Sequence, residues 1–227
     1  MFMKLRKPPK STRDLSAADA VIIKKVRAFS MLSPDRLENL LRLANEVVRG
    51  AVPGDFVECG ACRGGSGAVV AHVAKLEGWK RNVWLFDSFM GHPEPSVISG
   101  LDSEIMKDWA GTMIASQADV RKALKTVDAY SEEHIRIVPG WFQDSLLSKP
   151  IREIALLHID ADWYDATLLC LEKLYLSIVA GGYLVIDDYD NPSFPGVKQA
   201  VREFFADKTK EISFSFEVRP ALTVKKG

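Results

Sequence analysis

The stretch F-V-E-C-G-A-C-R-G-G-S, residues 56–66, starts as a short apolar strand and runs into a glycine-rich turn. Helical spacing of apolar residues follows up to Leu76, so the segment predicts a strand, a tight turn and a helix. Gly60 permits the tight turn, and the pair Gly64-Gly65 lets a ligand approach the helix N-terminus, whose free N–H groups favour an anionic group. The stretch therefore predicts the first unit of an open α/β sheet, with a ligand at the edge where the strand ends.

Apolar strands alternate with helices along the rest of the chain. Six more strands are predicted, at residues 83–86, 135–138, 154–159, 183–186, 212–216 and 221–224. The other predicted helices are residues 15–29, 34–48, 119–127, 163–176 and 197–205. Ser33 is the expected N-cap of the second of these helices, with Pro34 at its first position.

This alternation indicates a parallel sheet covered by helices on both faces, because its strands are apolar throughout. The connection between the last two strands is too short for a parallel crossover, so these two should be antiparallel. We expect a mostly parallel seven-stranded sheet in one domain over residues 15–227, after a flexible basic tail at residues 1–14. The N-terminal helices, residues 15–50, could form a lid over the site or a contact in a homodimer or larger homo-oligomer.

Composition argues against several classes of partner. The 227 residues carry 30 Lys and Arg against 30 Asp and Glu, so no basic excess favours nucleic acid or a membrane surface. No apolar run approaches the roughly 20 residues needed to cross a bilayer, and the N-terminus lacks the apolar segment of a signal peptide. Cys59, Cys62 and Cys170 do not resemble a disulfide framework, which indicates a cytoplasmic protein. With nucleic acid and membrane disfavoured, the expected partner is a small molecule.

Polar residues at the ends of the first three strands suggest a nucleoside cofactor. Glu58 would repel a pyrophosphate but attract the ammonium of a cofactor that bears an amino acid. Asp87, with Ser88 beside it, can accept both ribose hydroxyls, although the same geometry also serves NAD. After the third strand, Gly140 precedes the aromatic pair Trp141-Phe142, which could stack on an adenine or belong to the core.

The next two strands end in carboxylates, in H-I-D-A-D-W-Y-D-A-T (158–167) and V-I-D-D-Y (185–189). If these strands are neighbours, Asp160, Asp187 and Asp188 converge, at a cost that a bound cation would offset. Neither motif contains a Lys or Arg to serve as that cation. An all-oxygen ligand set suggests Mg²⁺, with Ca²⁺ or Mn²⁺ as alternatives. Helix capping is the alternative role for Asp188, and it is the favoured role for Asp162 and Asp165.

Taken together, these motifs resemble those of the macrocin and mycinamicin O-methyltransferases, the TylF/MycF group. The similarity spans about residues 30–206. The matching stretches are S-P-D-R (33–36), P-G-D-F-V-E-C-G-A-C-R-G-G-S (53–66), D-S-F-M-G (87–91), P-G-W-F-Q-D-S-L (139–146), L-H-I-D-A-D-W-Y-D-A-T (157–167), G-G-Y-L-V-I-D-D-Y (181–189) and P-G-V-K-Q-A-V (195–201). One departure is Cys62, where the family often has Trp.

The resemblance implies a Rossmann-like class I fold and Mg²⁺-dependent methyl transfer from S-adenosylmethionine to a sugar or phenol hydroxyl of a secondary metabolite. It implies that Asp160, Asp187 and Asp188 are the metal ligands, with Asp160 also catalytic and near the cofactor. The other expected cofactor-binding residues are Ser33, Glu58, Gly60, Ala61, Arg63, Gly65, Ser66, Asp87, Ser88, Gly140, Trp141 and Phe142.

The general base is less well defined. Related metal-dependent enzymes have a Lys three residues after the first metal ligand, where this chain has Trp163. His92 is the remaining candidate, with an ordinary loop histidine as the alternative, and His158 is expected to lie too far inside the sheet. Two other functions stay open at this point: a non-catalytic cofactor-binding domain and an NAD-dependent oxidoreductase.

Overall fold

The computed structural model describes residues 16–94, 102–148, 150–206, 212–215 and 218–227. The predicted basic tail lies outside these residues, as does part of the loop after the second strand. The helices are α1 (Ala17–Val26), α2 (Pro34–Arg49), α3 (Gly65–Leu76), α4 (Gln117–Thr126), α5 (Phe142–Ser145), α6 (Tyr164–Leu174) and α7 (Pro195–Phe205). The strands are β1 (Asp55–Cys59), β2 (Val83–Asp87), β3 (Ile135–Pro139), β4 (Ile154–Ile159), β5 (Ile178–Ile186), β6 (Ile212–Ser215) and β7 (Leu222–Lys226).

All seven strands form one sheet in the order β3-β2-β1-β4-β5-β7-β6. The first five in that order are parallel, and β7 is antiparallel to both β5 and β6. The predicted fold is therefore confirmed, including its C-terminal antiparallel pair. β5 begins five residues earlier than predicted, because Ile178 already pairs with Ile154 before a shift in the register.

Alternate residues of the central strands face two separate hydrophobic cores. Phe56 and Leu85 face the core beneath α1 to α4, whereas Val57 and Phe86 face the core beneath α5 to α7. Each fully buried side chain of this size contributes roughly 1.5–3 kcal/mol. The sheet is thus a rigid layer held from both sides, and its carboxyl ends carry the polar residues.

The N-terminal helices pack on the first of these cores, and α2 begins close to the carboxyl ends of the strands. Ser33 caps α2 as predicted, since its hydroxyl accepts a hydrogen bond from the Arg36 N–H at 3.4 Å. At the other end of α2, the Tyr183 hydroxyl donates to Glu46 at 2.8 Å and connects the helix to β5. These contacts place the first turn of α2 beside the end of β5. Among the described helices, none combines the length and apolar character that crossing a bilayer requires.

Candidate active site

The turn after β1 lies directly against the turn after β4. Gly60 has a φ of +97°, and a Cβ atom there would lie 1.8 Å from the carbonyl oxygen of Asp160. The Gly60 N–H donates to Phe86 at 2.9 Å, and the Asp160 N–H donates to Cys59 at 2.9 Å. Only glycine fits at this position, because a side chain would force the two strand ends apart.

Backbone donors hold the carboxylate of Asp87 at the end of β2. The N–H groups of Cys62 and Phe89 each donate to one of its oxygens at 2.7 Å. Burial raises the pKa of Asp87 above its ordinary value. The Gly140 N–H donates to the Asp87 carbonyl at 2.9 Å, which brings the end of β3 and the neighbouring Trp141 to the same edge. Asp87 is therefore fixed in orientation beside the glycine turn.

Glu58 and His158 form a buried pair across β1 and β4. A Glu58 oxygen lies 2.9 Å from Nδ1 of His158, while the second oxygen, Oε2, has no hydrogen-bond partner among the described residues. A Cβ atom at Gly67 would lie 2.8 Å from Oε2, so this glycine leaves room for the carboxylate. His158 lies inside the sheet, as expected, and it orients Glu58. The unpartnered oxygen is an acceptor that a buried N–H donor could satisfy.

Asp160, Asp187 and Asp188 come together at the ends of β4 and β5, as predicted. One ligand oxygen from each lies within 4.8 Å of the others. Oδ1 of Asp187 is buried, and none of the residues that the structure describes forms a hydrogen bond with it. Burial, followed by the neighbouring carboxylates, raises the pKa of Asp160 well above its ordinary value and that of Asp188 to about 7. We call these three residues the carboxylate cluster.

Neither strand motif contains a Lys or Arg, as noted above, but a basic residue from α2 pairs with this cluster. Arg36, in the first turn of α2, forms ion pairs with Asp187 and with Asp188, the latter at 3.3 Å. The two strand motifs could not reveal this partner, because Arg36 is 151 residues away from Asp187 in the chain. The signal that could have found it is the S-P-D-R motif (33–36), whose arginine was assigned no role.

The favoured capping role of Asp162 is also wrong. Asp162 adopts a left-handed conformation with a φ of +60°, and its carboxylate lies 2.9 Å from Nε2 of His92. The first N–H of α6, that of Tyr164, donates instead to Asp102 at 2.5 Å. Sequence reasoning missed Asp102, which lies 62 residues before Tyr164. A carboxylate from a distant loop thus takes the place of the local cap and leaves Asp162 beside His92.

Capping does not account for the other two aspartates either. Asp165 lies inside the first turn of α6 and not at its N-cap position, which is Trp163. Asp188 lies in the carboxylate cluster, and the N-cap position of α7 is Phe194. None of Asp162, Asp165 and Asp188 therefore occupies the N-cap position of α6 or α7.

His92 is enclosed by aromatic rings. The centre of its ring lies 5.1 Å from that of Trp163 and 5.9 Å from that of Trp109. Nδ1 of His92 is buried, without a hydrogen-bond partner in the described part of the chain. The imidazole is therefore held from several sides, and its Nε2 atom is directed at Asp162.

The remaining expected residues occupy different positions relative to the strand ends. Ala61, Gly65 and Ser66 are buried in the β1–α3 turn and the start of α3. Arg63 belongs to the same turn, but its guanidinium lies 5.9 Å from the centre of the Phe29 ring, toward the N-terminal segment. Ser88 forms hydrogen bonds within its own loop, as acceptor from Met90 at 3.1 Å.

The two residues of the aromatic pair after β3 have different surroundings. Phe142 packs against the second core, whereas Trp141 is partly exposed at the strand end. Cys59, Cys62 and Cys170 are all free thiols, as predicted.

Five parallel strands with a C-terminal antiparallel pair, and a polar site at the carboxyl ends, define a class I methyltransferase. The chain superposes on the structure of the O-methyltransferase NovP with a TM-score of 0.81 and 29% identity, covering 92% of this chain and 88% of that one. Residues 6–214 match the family model described as macrocin-O-methyltransferase (TylF). The chain belongs to this family and is an O-methyltransferase.

Individual relatives agree with this assignment. Demethyldecarbamoylnovobiocin O-methyltransferase of Streptomyces niveus is 34% identical over 182 residues, which are 79% of this chain and 68% of that protein. The 8-demethyl-8-(2,3-dimethoxy-alpha-L-rhamnosyl)-tetracenomycin-C 4'-O-methyltransferase of Streptomyces olivaceus is 34% identical over 165 residues, which are 71% of this chain and 63% of that protein. The family resemblance is confirmed, and it decides against an oxidoreductase and against a non-catalytic domain.

The cluster predicts how stability depends on pH when a chelator is present. Because burial raises the pKa of Asp188 from 3.8 to about 7, the folded chain keeps a proton that the unfolded chain releases. The free energy of unfolding should therefore fall as the pH rises from about 4 through about 7, by a few kcal/mol. Urea unfolding at several pH values in EDTA measures this. Asp188→Asn should flatten the profile, and an unchanged profile in this variant would contradict the assignment.

Proposed function

We propose that this enzyme transfers a methyl group from S-adenosylmethionine to a hydroxyl of a small molecule, on a sugar or phenol group of a secondary metabolite, with a divalent metal ion at Asp160, Asp187 and Asp188. The observation that carries the metal proposal is the carboxylate cluster, with its ligand oxygens within 4.8 Å and the unpartnered Oδ1 of Asp187. The relatives named above support oxygen as the methylated atom, and one of their names includes a rhamnosyl group.

The cofactor residues fit the two ends of S-adenosylmethionine. The unpartnered Glu58 oxygen would accept the ammonium of the methionine part, near the N-terminus of α3. Asp87, held by two N–H groups, would accept the ribose hydroxyls, and the partly exposed Trp141 would lie against the adenine. The sulfonium of this cofactor supplies a methyl group that is already activated, so the protein has to align the acceptor and remove its proton.

The charge balance of the cluster supports a metal ion. Arg36 supplies one positive charge, against the three carboxylates of the cluster and that of Asp162, which interacts electrostatically with all three. A negative excess remains after Arg36 is counted, and a divalent cation would neutralise it. Carboxylate oxygens are the ligands that Mg²⁺ prefers, with Ca²⁺ or Mn²⁺ as alternatives. Such an ion acts as a Lewis acid that lowers the pKa of a hydroxyl.

We place the general base at Asp162, with His92 as its positioning residue. The side chain of Asp162 is 21% exposed and that of His92 is 11% exposed, so the aspartate is the more accessible member of the pair. Asp162 is two residues from Asp160 and is electrostatically coupled to the whole cluster. His92 would hold the carboxylate through Nε2 while Trp109 and Trp163 fix its ring. This assignment revises the expectation that His92 itself takes the proton.

The variant Asp187→Asn tests the metal site without knowledge of the acceptor. We expect its affinity for Mn²⁺ to fall by about a hundredfold or more, because the substitution removes the charge of one ligand. Its affinity for S-adenosylhomocysteine should stay nearly unchanged. Separate calorimetric titrations measure the two affinities. Methyl transfer to a panel of phenolic and glycosylated acceptors should lose its EDTA-sensitive part.

Asp190→Asn is the matched control, since Asp190 lies two residues beyond the cluster and pairs with Lys198 and Arg219. It should keep both affinities and turnover. Unchanged Mn²⁺ binding and EDTA-sensitive turnover in Asp187→Asn would refute the metal assignment.

The variant Asp162→Asn tests the base. We expect turnover to fall by about 10²–10⁴-fold, since the amide cannot accept the proton, with the affinity for S-adenosylhomocysteine retained. The rise of turnover with pH that reports deprotonation of the base should disappear. His92→Gln retains an N–H donor and should lose less activity than Asp162→Asn. A wild-type pH profile in Asp162→Asn would show that another group takes the proton.

A further inference from the structure

Arg36 is held firmly at the edge of the site. Its backbone N–H donates to the Ser33 hydroxyl at 3.4 Å and to the Ser33 carbonyl at 3.1 Å, in the first turn of α2. The next residue, Leu37, is fully buried in the first core. The backbone of Arg36 is therefore fixed, and its side chain, which is only 16% exposed, points to the carboxylate cluster.

The guanidinium occupies oxygens that a metal ion would need. Nη1 of Arg36 contacts Oδ2 of Asp187 and lies 3.3 Å from Oδ1 of Asp188. Asn191 donates to the same Asp188 oxygen at 2.8 Å. Oδ1 of Asp187, the unpartnered oxygen, faces no donor among the described residues. Arg36 thus neutralises part of the cluster but forms no hydrogen bond with the buried Oδ1 of Asp187.

A divalent ion and this guanidinium cannot both be stable at these oxygens. A metal ion lies about 2.0–2.1 Å from carboxylate ligands in the case of Mg²⁺, so it would be close to Arg36 and of the same sign. Arginine does not lose its proton in proteins, so the repulsion cannot be relieved by deprotonation. The metal must displace the guanidinium or bind against its charge.

Resting on the metal site proposed above, we infer that Arg36 is a resident counter-ion of the carboxylate cluster that competes with the divalent metal ion for Asp187 and Asp188. Without metal it stabilises the cluster, and with metal it lowers the affinity of the site. The segment just before Arg36 also packs on the cofactor turn, since a Cβ atom at Gly65 would lie 2.5 Å from the Cβ of Ser30.

The opposite role makes a different prediction. An arginine that orients the carboxylates for the metal would resemble other groups behind metal ligands, whose loss weakens binding by about 10–100-fold. A competing arginine strengthens binding when it is removed. The sign of the change in Mn²⁺ affinity therefore separates the two roles.

The test is calorimetric titration of metal-free protein with Mn²⁺, using Arg36→Gln, Arg36→Lys and Arg42→Gln. We expect Arg36→Gln to bind Mn²⁺ about tenfold more tightly or more, and Arg36→Lys to stay near the wild type because it keeps the charge. Arg42→Gln is the matched control, since Arg42 lies on the same helix and pairs with Glu46 at 2.7 Å. It should leave the affinity unchanged.

A second readout is thermal unfolding with EDTA or Mn²⁺. Arg36→Gln should have a lower Tm than the wild type in EDTA and a larger rise on addition of Mn²⁺. If Arg36→Gln does not fold, Arg36→Met keeps the aliphatic stem and provides the same comparison.

The outcomes separate this inference from the metal proposal. If Asp187→Asn abolishes Mn²⁺ binding, and Arg36→Gln binds Mn²⁺ with the same affinity as the wild type or with a lower one, the competition alone is overturned. The variant Asp187→Asn is also introduced into both the wild type and Arg36→Gln. If neither protein then loses Mn²⁺ binding, both the metal site and the competition are overturned.

Discussion

Repulsion among carboxylates at the ends of two neighbouring parallel strands is the constraint that shapes this site. β4 and β5 pair in a fixed register, with His158 opposite Val185 and Ile159 opposite Ile186. The Asp187 N–H donates to Ile159 at 2.8 Å, so the residues that follow the two strands cannot move apart. Burial raises the pKa of each carboxyl in the cluster, and repulsion from neighbouring carboxylates adds to the rise for Asp160 and Asp188. These carboxyls must therefore keep protons or have a cation nearby.

Different strand ends of the same sheet carry the groups for different parts of the proposed reaction. The ends of β1 and β2 carry Glu58 and Asp87, which are held by a neighbouring histidine and by backbone N–H groups respectively. The ends of β4 and β5 carry the carboxylate cluster, and the turn after β4 also carries Asp162 beside His92. Because each group is fixed by the packed sheet, the site we propose needs little rearrangement to align a methyl donor with an acceptor.

Most of the fold could be predicted because apolar strands and helical spacing are local signals. The carboxylate cluster was also predictable, since parallel strands that end in Asp160 and Asp187 bring these residues together if the strands are neighbours. Arg36 could not be predicted from the strand motifs, because its position depends on how α2 packs over the sheet. Asp162 has the local sequence context of a helix cap. The structure shows that the first N–H of α6, that of Tyr164, donates to the distant Asp102 instead.

The most direct test of a metal-dependent site is a crystal structure of the enzyme with Mn²⁺ and S-adenosylhomocysteine, measured with anomalous scattering. We expect one strong anomalous peak within about 2.0–2.3 Å of oxygens from Asp160, Asp187 and Asp188, with the Arg36 guanidinium moved off these oxygens. A crystal with no peak at the cluster, in which Arg36 still pairs with Asp187 and Asp188 at saturating Mn²⁺, would contradict it.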